Sequence, residues 1–376
     1  MGFPVDRCEA ARYSPRGMDT LYLILQLVVA LGLVVAALLG LAWYAGRRWA
    51  LNRPVDETYF AQTEDGFRIA LSRYRPDGEA TGLPALLCHG LGANAFSLDL
   101  TEQRSLARYL RDRGRDAWLI ELRGVGASVA TGEWRKRTWC FDDFLTQDLP
   151  AAIARVLELT GAEALHWVGH SMGGMLGYAY LQGEGKKSVR SLTAIASPGS
   201  LDHMRRLRPL LRLLVNRRRP IRQIGLGRLG CWVAGLPVPG LSLLANPQNL
   251  EPHVRRQALA NLPANIAGGL MAQIARWVIQ GRIAPTLDGP DYDFTEEGLG
   301  RVDTPALLMA GTRDRLVPAA SVEYAFNAIG SSDKKLVVVG PDDQDVYGYG
   351  HGDIALGDRA GEEVYPHVVA WLEGHD

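Results

Sequence analysis

The chain has 376 residues, 47% hydrophobic and 22% charged, which is enough for one large α/β domain plus an appendage, or for two small domains, around a real core. Its 41 Lys and Arg balance 41 Asp and Glu, and a net charge of zero argues against a general nucleic-acid binder. The four cysteines, Cys8, Cys88, Cys140 and Cys231, are scattered without a C-x-x-C pair. Neither a metal site nor a disulfide framework is suggested, and no organic cofactor is implied.

The first element is apolar. From Leu21 to Ala45 the only polar interruption is Gln26, and 25 residues at ~1.5 Å each span ~37 Å, enough to cross a ~30 Å hydrocarbon core with some tilt. Trp43 and Tyr44 close the run, where amphipathic rings favour the headgroup level, and Arg47 and Arg48 follow. A cleaved signal peptide has a shorter apolar region, about 7–15 residues, ending in small side chains. The expectation is therefore a leader over 1–20 and a retained transmembrane anchor over 21–45. Arg7, Arg12 and Arg16 precede the span and Arg47, Arg48 and Arg53 follow it, so arginine counting alone assigns no orientation. A start at Met18 would open directly into the span and remove the leading arginines. That start puts the remainder of the chain on the cytoplasmic side.

After Pro54 the pattern becomes strand, turn, helix. Phe67–Tyr74 alternates as a half-exposed strand, Leu86-Leu87-Cys88 is a short apolar run, and Ser105–Arg113 has helical periodicity. Ala117–Leu122 reads as a strand, Asp143–Leu159 as a long helix, Leu165–Gly169 as a buried strand and Ser171–Leu181 as a helix. Leu192–Ala196, Ala306–Met309 and Leu336–Val339 complete the strands. Short apolar strands alternating with helices predict an α/β fold over 55–376, a mostly parallel sheet with helices on both faces. More than one hundred residues separate the strands ending near Ala196 and starting near Ala306, far more than one crossover needs. The surplus, about 199–300, predicts a helical cap over the C-terminal edge of the sheet.

Chemistry concentrates in three places. Gly169-His170-Ser171-Met172-Gly173 fits G-x-S-x-G between a buried strand and a helix, the context in which this motif is a nucleophile elbow. A serine hydroxyl needs an adjacent base, and in this type of site the acid and then the histidine follow later in the chain. Asp314 lies just past the Ala306–Met309 strand, where catalytic groups of open α/β sheets collect. His351, between Gly350 and Gly352, lies on the loop after the last strand. Ser171, Asp314 and His351 are thus the candidate nucleophile, acid and base. The backbone N–H groups of Met172 and Leu91 are the candidate oxyanion donors. Rival residues read differently. Asp342, Asp343 and Asp345 crowd a polar loop, and Asp353 has the position of a helix N-cap. His89 reads as fixing a turn, His170 as a neighbour of the nucleophile, and His166 as a satisfied core histidine.

These segments resemble the α/β-hydrolase superfamily and, within it, the acid-lipase branch. The resemblance rests on His89-Gly90-Leu91-Gly92, on Ala117-Trp118-Leu119 leading to Arg123-Gly124, and on Phe141-Asp142-Asp143 leading to Asp148-Leu149-Pro150-Ala151. It continues through His166-Trp167-Val168-Gly169-His170-Ser171 and Gly350-His351 with Asp353. It covers most of 60–376 and implies hydrolysis of carboxylic esters with apolar acyl groups, by the same three side chains and two backbone donors. Met172 stands where that branch usually has Gln, and Gly352 where it usually has Leu. Polyhydroxyalkanoate synthases are also similar but carry cysteine at the nucleophile.

Between His203 and Leu250 there are nine arginines and no Asp, Glu or Lys. Leucines and arginines alternate irregularly over Met204–Arg222, and Pro209 and Pro220 exclude one long helix. Such a segment either lies in a membrane interface or buries its leucines on the sheet. The leading expectation is a serine hydrolase for a hydrophobic or lipid-like ester, with the membrane as a partner and no nucleic acid. The alternatives are acyl transfer or C–C hydrolysis by the same residues, and a non-catalytic membrane-tethered binding protein. A serine at 171 argues against dehalogenase and epoxide-hydrolase chemistry, which want a carboxylate there. Oligomeric state is left open.

Overall fold

The computed structural model describes residues 15–130, 138–236, 240–340 and 348–376. Cys8, Arg7, Arg12 and the rival carboxylates Asp342, Asp343 and Asp345 lie outside the described residues, as do the side chains of Arg16 and Met18.

Eight strands build the main sheet: β1 (Glu57–Gln62), β2 (Phe67–Tyr74), β3 (Ala85–Cys88), β4 (Ala117–Glu121), β5 (Leu165–His170), β6 (Val189–Ile195), β7 (Ala306–Gly311) and β8 (Lys334–Val339). Their spatial order is β1-β2-β4-β3-β5-β6-β7-β8. The β1–β2 and β2–β4 pairs are antiparallel, and all later pairs are parallel. Val129–Ala130 adds a short antiparallel piece to β2. The central strands read as unbroken apolar runs because both faces are covered: every residue of β3, β5 and β7 is buried. Strand β1 has no such signature. It sits at the edge, only Ala61 is buried, and Glu57 on the inner side with Phe60 on the outer side breaks the apolar alternation.

Helices α2 (Leu106–Arg111), α3 (Leu149–Thr160), α4 (Met172–Tyr180), α5 (Ile224–Gly230), α6 (Pro252–Asn261), α7 (Gly268–Gln280), α8 (Ala319–Ala328) and α9 (Tyr365–Glu373) follow the long N-terminal α1 (Pro15–Arg48). One face of the sheet is covered by α3, α4 and α8, the other by α2 and α9. Ser105, expected inside a helix, is the N-cap of α2 and accepts from Arg108 N–H at 3.0 Å. The expected long helix over 143–159 begins earlier, at Phe141, and contains a π-helical stretch, Phe144–Asp148, before α3.

The segment between β6 and β7 is helical, containing α5, α6, α7 and shorter pieces. It is tied down by Asp142, which accepts from Tyr292 Oη (2.7 Å), Gln273 Nε2 (2.8 Å), Thr286 N (2.8 Å) and Thr286 Oγ1 (2.7 Å). Four donors satisfy a carboxylate that is otherwise costly to bury.

The N-terminal apolar helix α1 is of the kind that serves as a membrane anchor or a signal sequence; Asp19–Arg48 is long and apolar enough to cross a bilayer. It extends beyond the expected 21–45 at both ends. Most of its side chains from Leu21 to Tyr44 are exposed, whereas Ala45 is fully buried against Cys231 and Ala260. Asn261, at the end of α6, holds the chain as it leaves α1: Oδ1 accepts from Leu51 N (3.1 Å) and Nδ2 donates to Trp49 O (2.8 Å).

Candidate active site

The turn between β5 and α4 is dictated by close backbone approach. A Cβ on Gly169 would run into the carbonyl of Gly173, and one on Gly173 would run into the carbonyl oxygen of Cys88 on β3. Only glycine lets these segments meet. Between them Ser171 is forced to φ 55°, ψ −119°, a strained conformation for a residue with a side chain. Its N–H donates to Ile195 O at 2.8 Å, while Trp167 Nε1 donates to Gly173 O at 2.9 Å and braces the first turn of α4.

Three distant side chains meet there. Ser171 Oγ lies 2.9 Å from His351 Nε2, and His351 Nδ1 lies 2.8 Å from Asp314 Oδ2. The other carboxylate oxygen, Oδ1, accepts from Leu316 N (2.9 Å) and Val317 N (2.7 Å). Those two bonds fix the carboxylate, so Oδ2 is presented to the imidazole. An ionised carboxylate only accepts, which puts the imidazole proton on Nδ1 and leaves Nε2 free to accept from the serine hydroxyl. Asp314 and His351 are both buried, whereas Ser171 is partly open.

Gly90 abuts Ser171: a Cβ there would lie 2.9 Å from Ser171 Cβ. The following residue, half-buried Leu91, belongs to a turn closed by Ala93 N donating to Gly90 O at 3.3 Å. His89 supports this turn, donating from Nδ1 to Gly90 O (2.9 Å) and accepting at Nε2 from Leu122 N (3.2 Å). Burial pushes the His89 pKa down to about 4, so the imidazole stays neutral and can both donate and accept. Met172 opens α4, whose N-terminal N–H groups face the side where Ser171 stands. Among the described residues, no group of three or more His, Cys, Asp or Glu could hold a metal.

A family model described as the alpha/beta hydrolase fold matches residues 84–218, which include β3, the elbow and Ser171. This is the α/β-hydrolase fold. An esterase from Exiguobacterium antarcticum superposes with a TM-score of 0.58 at 18% identity, covering 84% of this chain and 100% of its own. A bacterial membrane phospholipase A superposes at 0.51 and 20% identity, covering 95% and 98%. In sequence, Lipase lipl-3 of Caenorhabditis elegans is 30% identical over 165 residues, 39% of this chain and 40% of its own length. Human gastric triacylglycerol lipase is 29% identical over 179 residues, 42% and 43%. The chain thus spans about two fifths of the length of the curated relatives it matches, and its resemblance is to the lipase and esterase branch.

The rival residues in this fold have other work. His166 is buried between Ser191 Oγ (2.8 Å) and Asp376 Oδ1 (3.1 Å), with burial lowering its pKa to about 4. Asp353 is the first residue of a short helix, Asp353–Leu356, whose N-cap is Gly352. Its carboxylate accepts from Gly350 N (3.0 Å), Asn246 N (2.8 Å) and Asn249 Nδ2 (2.7 Å). It is therefore a clamp on the loop that carries His351. Sequence reading missed the partners of this clamp: Asn246 and Asn249 also donate to Gly348 O at 2.7 and 3.1 Å. It also gave His170 too little. His170 Nε2 donates to the backbone oxygen of His351 at 2.9 Å, and burial followed by the nearby His351 pushes its pKa down to about 3. A sequence signal existed only for His170, through its adjacency to Ser171.

Proposed function

We propose that this chain is a membrane-anchored serine hydrolase that cleaves hydrophobic or lipid-like carboxylic esters through an acyl-enzyme. Ser171 Oγ attacks the ester carbonyl carbon as His351 Nε2 takes the hydroxyl proton. The resulting oxyanion accepts from the N–H groups of Leu91 and Met172. Collapse of the tetrahedral species breaks the C–O bond, and His351 passes its proton to the departing alcohol. Water, deprotonated by the same imidazole, then frees the acid and restores Ser171. Asp314 keeps the imidazole in its Nδ1–H form and balances its positive charge. One oxyanion donor is worth ~2.7–4 kcal/mol in comparable sites.

The observation that carries this reading is the unbroken contact from Ser171 through His351 to Asp314, at 2.9 and 2.8 Å. The lipase names of its relatives and the apolar cap favour an apolar acyl group. Residues 21–45 form the anchor and 55–376 the hydrolase domain, with the cap inserted at about 199–300. Translation from Met18 would leave only Arg47, Arg48 and Arg53 beside the span, which favours a cytoplasmic catalytic domain. A fluorophosphonate probe and p-nitrophenyl butyrate test the chemistry. Labelling and a p-nitrophenol burst in wild type, both absent in Ser171→Ala, are expected, with free butyrate as product. Absence of both in wild type would refute an enzyme; butyryl transfer to added glycerol in preference to water would make it a transferase.

A further inference from the structure

Outside α1, thirteen large hydrophobic side chains are strongly exposed among the described residues, and nine of them fall within 207–244. A folded domain tolerates scattered apolar exposure, but a concentration of this kind marks a contact surface. Leu226, on α5, is 67% exposed and Leu236, just beyond it, 59%. The same stretch carries arginines without a single acidic residue.

The position of this surface is set by α1. Trp232 Nε1 donates to Leu41 O at 3.3 Å, and its ring stacks on Tyr44 with centroids 5.9 Å apart. Cys231 is packed on Ala45. Arg228 reaches the same helix further along, since a Cβ on Gly46 would lie 2.7 Å from its Cζ. Leu41 precedes Arg47 by six residues, or ~9 Å along a helix axis. If Arg47 marks the headgroup level, Trp232 is held about that far toward the hydrocarbon, within the depth at which interfacial helices rest. Arg228, level with Gly46, then lies among the headgroups.

We infer that the cap face carrying Leu226, Trp232 and Leu236 is a bilayer-contact surface, immersed in the same leaflet as the end of α1, from which an ester substrate enters the site. The inference rests on reading α1 as a membrane span. Lipid is the occupant because the face continues the apolar surface of α1; a soluble protein would have to displace lipid to cover it. The arginines suit anionic headgroups and hold the face down. The surface is tied to the site by hydrogen bonds. Asn261, which binds Trp49 and Leu51 at the end of α1, accepts at its backbone oxygen from Asn94 Nδ2 at 2.7 Å. Asn94 lies three residues beyond Leu91, so the leaflet surface and the oxyanion turn share one support.

The test uses the full chain in vesicles of phosphatidylcholine and phosphatidylglycerol, with or without acyl chains brominated near the headgroup. The Trp fluorescence of Leu226→Trp minus that of wild type reports the new ring, and Glu158→Trp on α3 is the aqueous control. At least twofold quenching at 226 with none at 158 is expected. Equal, weak quenching at both, with the protein still floating with the vesicles, would overturn the contact surface and leave the anchor standing. Failure of wild type to float would overturn the anchor, and the inference with it.

Discussion

The nucleophile elbow and the two loops that face it are held by different forces. At the elbow the backbone itself is the constraint: Gly169 and Gly173 touch neighbouring main chain, and Ser171 between them is held at φ 55°. The loops bearing Leu91 and His351 are instead held by hydrogen bonds, many of them to the cap. Gln223 Nε2 donates to Gly92 O at 2.6 Å, Asn94 is bound to Asn261, and Asn246 and Asn249 grip Gly348. The nucleophile is thus built into the sheet, while its helpers are positioned by the insertion. A damaged cap should leave the serine in place and misalign what activates it.

The largest effect tests the elbow. On the proposed mechanism, Ser171→Ala and His351→Ala should each lower kcat by at least about 10⁴-fold, as in characterised serine hydrolases, with thermal melting almost unmoved. A loss below a hundredfold in steady-state hydrolysis would remove these residues from the chemistry.

That half of the molecule was also the readable half. Strands β3 and β7 are continuous apolar runs, β5 is interrupted only by His166 before it ends at His170, and each of the three candidate residues follows a strand end or sits between glycines, so local pattern suffices. The cap contacts were not readable. Asn246 and Gly348 are 102 positions apart and Asn94 and Asn261 are 167 apart, and an amide in a polar loop has no periodicity to betray its partner. Strand β1 was missed for a related reason: an edge strand needs little apolar surface. The N-terminal helix was found but drawn too short, because its polar ends continue the helix without continuing the hydropathy.

Acid should separate the two regions through stability. His89 supports the oxyanion turn and His170 the His351 loop, both as neutral imidazoles, and His166 is neutral in the core. Folded, they take up protons only near about 4, 3 and 4; the ordinary value is 6.5. Below pH 6.5 these three side chains therefore bind more protons unfolded than folded, so what they contribute to stability is complete above that pH and declines as pH falls toward 4. Each group contributes up to a few kcal/mol. Between pH 7 and 5 the urea midpoint of wild type should drop relative to that of His166→Gln; equal changes in the two would contradict a buried neutral His166.

Gly173→Ala tests the elbow sterically. The added methyl meets the carbonyl oxygen of Cys88, a backbone atom that cannot rotate away. Forced overpacking costs about 1–3 kcal/mol, and the cost here should lie at the upper end, read as a lower urea midpoint with unchanged slope. A neutral result would mean that the strand and helix can separate, and the backbone would no longer be what holds Ser171.

The smallest effect discriminates best. Gln223→Ala removes one of two cap donors to Gly92 O; Ala264 N, at 2.8 Å, remains. The net worth of such a bond is about 1 kcal/mol, or roughly a fivefold change, and it should fall on kcat with KM almost constant, because Leu91 N–H acts on charge that develops only in the transition state. Asn246→Ala acts on the opposite loop and should slow the base instead. If the two loops are independently positioned, the double variant should lose the product of the single losses. A loss no greater than either single variant would mean that the cap moves both loops as one body, and the contrast between sheet and insertion would become a contrast between two rigid halves.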